Sequence, residues 1–224
     1  MTDTHVLHHR AGHLLLHVGE DDWVIDTGSP VSFGSGPVPV LCGHRPALPA
    51  SYMGLDQREL SRLTGVPLAG LLGTDVLNRF DLVFDVPSGH VQLCEEESVL
   101  AGDSIPMSDV MGVPVVTVHA GHASHAVFFD TGATVSYLHG AGDAGHPALE
   151  PMHDFFPGFG EFDSPTWRVP FRVGGTAMSL RTGQLPGLLG MTLRMAGVAG
   201  IVGNELCLTR RVGYFPRRRQ LVLA

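Results

Sequence analysis

A chain of 224 residues is long enough for one large domain or two small lobes, and 44% hydrophobic against 16% charged residues excludes a disordered chain. Twenty-nine glycines and 16 prolines, without long runs of helix formers, favour a turn-rich β protein. A net charge of −8 argues against an electrostatic grip on nucleic acid or anionic lipid, and three widely spaced cysteines (Cys42, Cys94, Cys207) give neither a disulfide framework nor a metal knuckle.

Along the chain, Met1 to Gly12 contains no apolar leader and no later stretch reaches membrane-spanning length, so the expectation is a soluble, cytoplasmic protein in a reducing compartment. His13 to Val18, a turn over Gly19 to Asp22, and Trp23 to Ile25 read as strand, turn, strand ending at Asp26-Thr27-Gly28-Ser29. Asp56 to Leu63 reads as one short helix. Leu68-Ala-Gly70-Leu-Leu-Gly73 follows, and then a strand pattern over Asp81 to Leu93. The acidic, turn-forming stretch from Cys94 to Ser104 suits a linker.

Beyond the linker the chain repeats itself, and repeats decide architecture before anything else does. Val113 to His119 and His125 to Phe129 again bracket a turn and end at Asp130-Thr131-Gly132-Ala133. Val198-Ala-Gly200-Ile-Val-Gly203 echoes the earlier glycine block, and Val212 to Leu223 echoes the terminal strands. Three matched blocks in one order point to duplication. The middles differ: Asp26 to Gly70 spans 44 positions and Asp130 to Gly200 spans 70, so the second half carries about 26 more residues. There, Phe159 to Asp163, Trp167 to Val173, Gly174-Gly175 and Ala177 to Arg181 suggest a long β-hairpin.

The paired Asp-Thr-Gly motifs, each followed downstream by two apolar residues and glycine at Leu71-Leu72-Gly73 and Ile201-Val202-Gly203, resemble the pepsin and retropepsin aspartic peptidases. The likeness spans nearly the whole chain as architecture and about forty residues as motif. It implies an all-β, two-lobed pepsin-like or retropepsin-like fold with few short helices and a cleft between residues 1–98 and 99–224. Asp26 and Asp130 would be the catalytic carboxylates, one from each lobe. Gly28 and Gly132 would allow the tight turn beside each carboxylate, and Thr27 and Thr131 would cross-link the two loops. Leu72, Gly73, Val202 and Gly203 would pack beneath them.

The activity implied is aspartic endopeptidase hydrolysis of a peptide or protein substrate bound extended across the cleft, by a chain that needs no cofactor, metal, nucleic acid or membrane and works as a monomer. An inactive module of the same fold, binding extended peptides without cutting them, is the alternative. Ser29 follows the first motif where Ala133 follows the second, so a hydroxyl donor beside Asp26 would hold it ionised and leave the shared proton mainly on Asp130, and the donor lost on the second side would move the working range towards less acidic pH. The flap that closes over substrate would come from the second half, with its tip near Gly158-Phe159-Gly160 and Trp167 as a candidate for the family's flap tyrosine.

Two further groups have plainer readings. His119, His122 and His125, and the crowd at His5, His8, His9, His13 and His17, could suggest zinc, yet no His-Glu-x-x-His helix is present and strand spacing would splay them. The arginines Arg210, Arg211 and Arg217 to Arg219 read as a solvated strand edge.

Overall fold

The computed structural model describes residues 1–142 and 144–224. The chain is mostly β, with 49% strand and 13% helix. Strand β1 (Thr2–Arg10) precedes β2 (His13–Val18), β3 (Asp21–Ile25) and the short β4 (Phe33–Gly34). A small ribbon, β5 (Ser51–Tyr52) and β6 (Leu55–Asp56), leads into helix α1 (Gln57–Thr64), then β7 (Gly70–Leu72), helix α2 (Thr74–Leu77) and the hairpin β8 (Asp81–Asp85) and β9 (His90–Cys94). The second half runs β10 (Asp103–Val110), β11 (Val113–Ala120), β12 (Ala123–Phe129), β13 (Ser136–Leu138), β14 (Ala148–Phe156), β15 (Gly160–Val173) and β16 (Thr176–Gly183). Helix α3 (Gly187–Met195), β17 (Gly200–Val202), β18 (Arg211–Phe215) and β19 (Gln220–Leu223) complete it.

The repeated sequence blocks pair in repeated ways. Antiparallel β2–β3 matches β11–β12; parallel β3–β7 matches β12–β17; antiparallel β4–β7 matches β13–β17. Strands from both halves merge into one antiparallel sheet in the order β1, β9, β8, β18, β19, β10, joined at its centre by Arg211↔Asp85 through Tyr214↔Leu82. The Tyr214 hydroxyl donates to Asn78 Oδ1 at 2.5 Å across this seam.

Burial on both faces explains why the strand runs read as continuous apolar stretches. On β2, Leu14 and Leu16 enter the main core while Leu15, on the opposite face, enters a second cluster with Val24, Phe33 and Leu60. Successive strand residues alternate faces, and each fully buried leucine contributes about 1.5–3 kcal/mol. The main core is shared, since Trp23 and Phe84 of the first half pack in it with Phe129 and Tyr214 of the second. A third cluster, around Val135, Tyr137, Leu189 and Ile201, sits where the second half mirrors the Phe33 region.

Helix α1 starts because the Asp56 side chain accepts the Glu59 N–H at 2.9 Å, and it stops at Gly65, whose φ of 69° is left-handed. Helix α3 escapes the sequence pattern: glycines at 187 and 190 dilute it, and only Leu189 and Leu193 bury a face. Strand β1 escapes it as well, since its side chains are mostly exposed and it is held by backbone pairing to β2 and β9.

The C-terminal arginines are not simply a solvated edge. Asp81 is fully buried and accepts from Arg218 Nη2 at 2.7 Å, Arg217 Nη2 at 3.0 Å and the Ser98 N–H at 2.8 Å. One carboxylate thereby ties β8, the linker and the turn between β18 and β19 together. A buried charge persists only when paired in this way.

Candidate active site

Both Asp-Thr-Gly segments leave the end of a strand whose last residue is buried. Strand β3 ends alongside β7 with Ile25 opposite Leu72, and β12 ends alongside β17 with Phe129 opposite Val202. The pairing carries one step past each strand, since Asp26 N–H donates to the Leu72 carbonyl and Asp130 N–H to the Val202 carbonyl, both at 2.9 Å. Each chain then turns around its own carboxylate. Asp26 Oδ1 accepts from the N–H groups of Gly28 (2.8 Å) and Ser29 (3.0 Å), and Asp130 Oδ1 from those of Gly132 (2.9 Å) and Ala133 (3.1 Å). Beneath, Gly73 packs against the Ser29 carbonyl and Gly203 against the Ala133 carbonyl, at approaches that leave no room for a Cβ.

The two loops meet. Thr27 and Thr131 are fully buried and bond reciprocally: each backbone N–H donates to the other's Oγ1 at 3.0 Å. Each hydroxyl in turn donates at 2.7 Å to the strand that carries the other loop, Thr27 to the Phe129 carbonyl and Thr131 to the Ile25 carbonyl. The glycines have a steric reason as well. Neither Gly28 nor Gly132 has a positive φ. Instead, a Cβ on Gly28 would come within 3.0 Å of the Asp130 carboxyl, and one on Gly132 equally close to the Asp26 carboxyl. They are glycine so that each carboxylate can lie against the opposite loop.

Burial raises the pKa of both carboxyls above the ordinary carboxylate range; the charge of Asp130 raises Asp26 further, a hydrogen bond between the two raises Asp26 and lowers Asp130, and the charge of Asp154 raises Asp130. The backbone N–H groups of each loop pull partly the other way. Two part-buried carboxyls in this relation titrate as a pair. The expected bias from Ser29 is overturned. Its hydroxyl donates to the Val31 carbonyl at 2.9 Å, leaving Asp26 and Asp130 with matching sets of backbone donors. Ser29→Ala is therefore expected to cost about 1 kcal/mol of stability through the Val31 bond and to leave the pH dependence of any activity in place. A displaced acidic limb in the variant would count against this geometry.

Asp26 and Asp130 open into a cleft of about 150 Å³ with apolar walls that include Val24, Phe33, Leu71 and Ile201. The hairpin of β14 and β15, turning at residues 157–159, comes from the second half and touches the first. Phe155 packs on the Leu15–Val24–Phe33 cluster, Gly158 abuts Met53, and Glu161 pairs with Arg62 at 3.3 Å. Phe155, Phe156 and Pro157 line the cleft. Phe159, 41% exposed, does not line it and stacks edge-on against Phe162, which does. Trp167 is no part of the cleft: it lies farther along β15, against Gly142 and the main core.

Sequence reasoning missed His13, Tyr52, Tyr137 and Asp154, all of which line the cleft. Tyr137 offered one signal, its place seven residues after Asp130 matching that of Phe33 after Asp26.

For a metal, His8, His17 and Asp22 bring ligand atoms within 4.8 Å of one another, but Asp22 is already bonded by His17 Nδ1 at 2.8 Å and faces Arg10 at 3.5 Å. A guanidinium on the carboxylate opposes a second cation there. Cys42, Cys94 and Cys207 are buried and free, and burial pushes the Cys207 thiol up to about 12, which makes it inert. Among the described residues no helix is long and apolar enough to cross a membrane. In comparisons with known proteins, no protein-family model and no curated protein matches the chain.

Proposed function

We propose that the chain is an aspartic endopeptidase of two-lobed, pepsin-like arrangement in which Asp26 and Asp130 activate one water between them. The reciprocal Thr27–Thr131 bonding carries this reading. It supports the two carboxyls from below with four buried hydrogen bonds, and it leaves their outer faces turned to an apolar cleft. Such a pair, holding one proton, is matched to a single task. The ionised member takes a proton from the water as it attacks the scissile carbonyl, and the protonated member donates to the carbonyl oxygen. The resulting tetrahedral gem-diol then collapses with breakage of the C–N bond: one carboxyl protonates the leaving nitrogen while the other takes a proton from a gem-diol hydroxyl, so the pair again holds one proton and no covalent enzyme intermediate forms. Aspartic proteases are the standard example of coupled carboxyls that share one proton.

Both half-sites lie in one chain, which removes the need for a second copy. The substrate is an extended peptide or protein segment, and the β14–β15 hairpin closes over it. Deleting residues 158–160 is accordingly expected to raise KM for peptides several-fold with a smaller change in kcat, measured by steady-state cleavage. An unchanged KM would place closure elsewhere.

The direct test is digestion of a mixed peptide library across the acid to neutral range, with new termini read by mass spectrometry. Cleavage is the expected result. Peptide binding without cleavage at any pH, by folded protein, would turn the reading into that of an inactive peptide-binding module.

A further inference from the structure

The cleft holds a carboxylate and a histidine that water activation does not use. Asp154 stands on β14 and is partly buried; its Oδ2 accepts the Tyr137 hydroxyl and its Oδ1 the Phe155 N–H at 2.8 Å. A carboxylate accepts about four hydrogen bonds, so about half of this one's capacity remains open. Burial raises its pKa above the ordinary carboxylate range, the titratable neighbours His13 and His153 act the other way, and its own charge acts on Asp130; His153 is exposed and bonded to Asp163 at 2.9 Å. Arg181, near enough to act on Tyr137, is turned away to Thr166 Oγ1 and the Glu150 carbonyl.

His13, at the start of β2, is only 9% exposed and lines the same cleft. Its Nδ1 is buried and has no hydrogen-bond partner among the described residues. Burial lowers the imidazole below its ordinary range, while the Asp154 carboxyl and the Gly132 backbone beside it act the other way. A buried polar atom left open at this depth is costly unless a ligand or water meets it.

This corner therefore offers a carboxyl and an imidazole with hydrogen-bonding capacity still open, in an apolar cleft that includes Phe156 and Phe162. Its complement is a group with several N–H donors and a positive charge on a long apolar stem. We propose that Asp154 and His13, with Tyr137 holding the carboxylate in place, form a subsite for the cationic side chain of an arginine or lysine beside the scissile bond. The subsite rests on the peptidase reading of the cleft and adds a substrate class to it.

The test separates binding from cutting. Two synthetic peptide mixtures, identical except for arginine or its neutral isostere citrulline at the central positions, are titrated against the Asp26→Asn protein. The arginine mixture is expected to bind roughly 10- to 100-fold more tightly. Asp154→Asn in the same background is expected to abolish the ratio, and Asp154→Glu, which keeps the charge, to retain most of it. Asp154→Ser serves should the Asn variant fail to fold. A ratio near one in the Asp26→Asn protein, or a ratio that survives loss of the carboxylate, overturns the subsite. The wild-type chain is given the same mixtures in parallel. Cleavage of both at equal rates keeps the peptidase and removes the subsite; an arginine preference in binding without any cleavage keeps the subsite and removes the peptidase.

Discussion

Asp26→Asn and Asp130→Asn are each expected to lower kcat for peptide hydrolysis by at least about 10³-fold while leaving the fold in place. The magnitude follows from the division of labour: one carboxyl must accept a proton as the other donates one, and an amide does neither, whereas acid–base catalysis alone supplies 10²–10⁴-fold. The double variant is expected to lose little more than either single one, because groups that act as a unit are not additive. Stability supplies the control. Burial raises both carboxyls, so the folded state binds their protons more tightly than the unfolded chain does. Their contribution is fully present below the ordinary carboxylate pKa and is lost as pH rises through the raised one. An asparagine carries no charge to desolvate, so at neutral pH each variant should melt no lower than wild type, as measured by calorimetry. Activity retained in either variant would remove the dyad.

The second large effect lies far from the cleft. Asp81→Asn is expected to destabilise the protein by about 3 kcal/mol, at the low end for breaking a buried ion pair, because Arg217 and Arg218 are 36% and 23% exposed and can regain water. For a chain of this size that corresponds to a fall in melting temperature of about 6–12 °C. Activity at low temperature should be untouched. A shift under about 2 °C would show that the two arginines and Ser98 find equivalent partners without the charge.

Much of the architecture is written locally in the sequence. The strand–turn–strand units before Asp26 and Asp130 show because apolar runs stop at Gly19 to Asp22 and at Gly121-His122, and the helix at Gln57–Thr64 shows because Asp56 caps it. The loop residues that meet across the cleft were legible because the chain repeats, so each motif vouched for the other. What stayed hidden depends on distant partners. Asp154 reads as one acid in a polar stretch until β14 folds over the cleft and brings it to Tyr137. His13 reads as one of several amino-terminal histidines until its ring is buried beside Gly132. Ser29 misled because adjacency in sequence says nothing about where a hydroxyl hydrogen points, and Val31 claims it. The arginines misled for the opposite reason: their partner Asp81 lies more than a hundred residues away, which no local charge pattern reveals.

The central sheet also sets an order in time. Strand β8 borders β18, and Thr27 meets Thr131 across 104 positions of chain. Contacts of such long sequence separation form slowly, because a large loop must close before they yield any stabilisation. A chain still emerging during synthesis can build the first strand–turn–strand unit, yet it holds only one of the two carboxyls and half of the seam. The second carboxyl is in place only once β12 has docked, and the seam closes only with β18 and β19. On the proposed peptidase reading, a nascent chain would be inert towards its neighbours until nearly all of it has been made, and the competence to cut would arrive in a single late step.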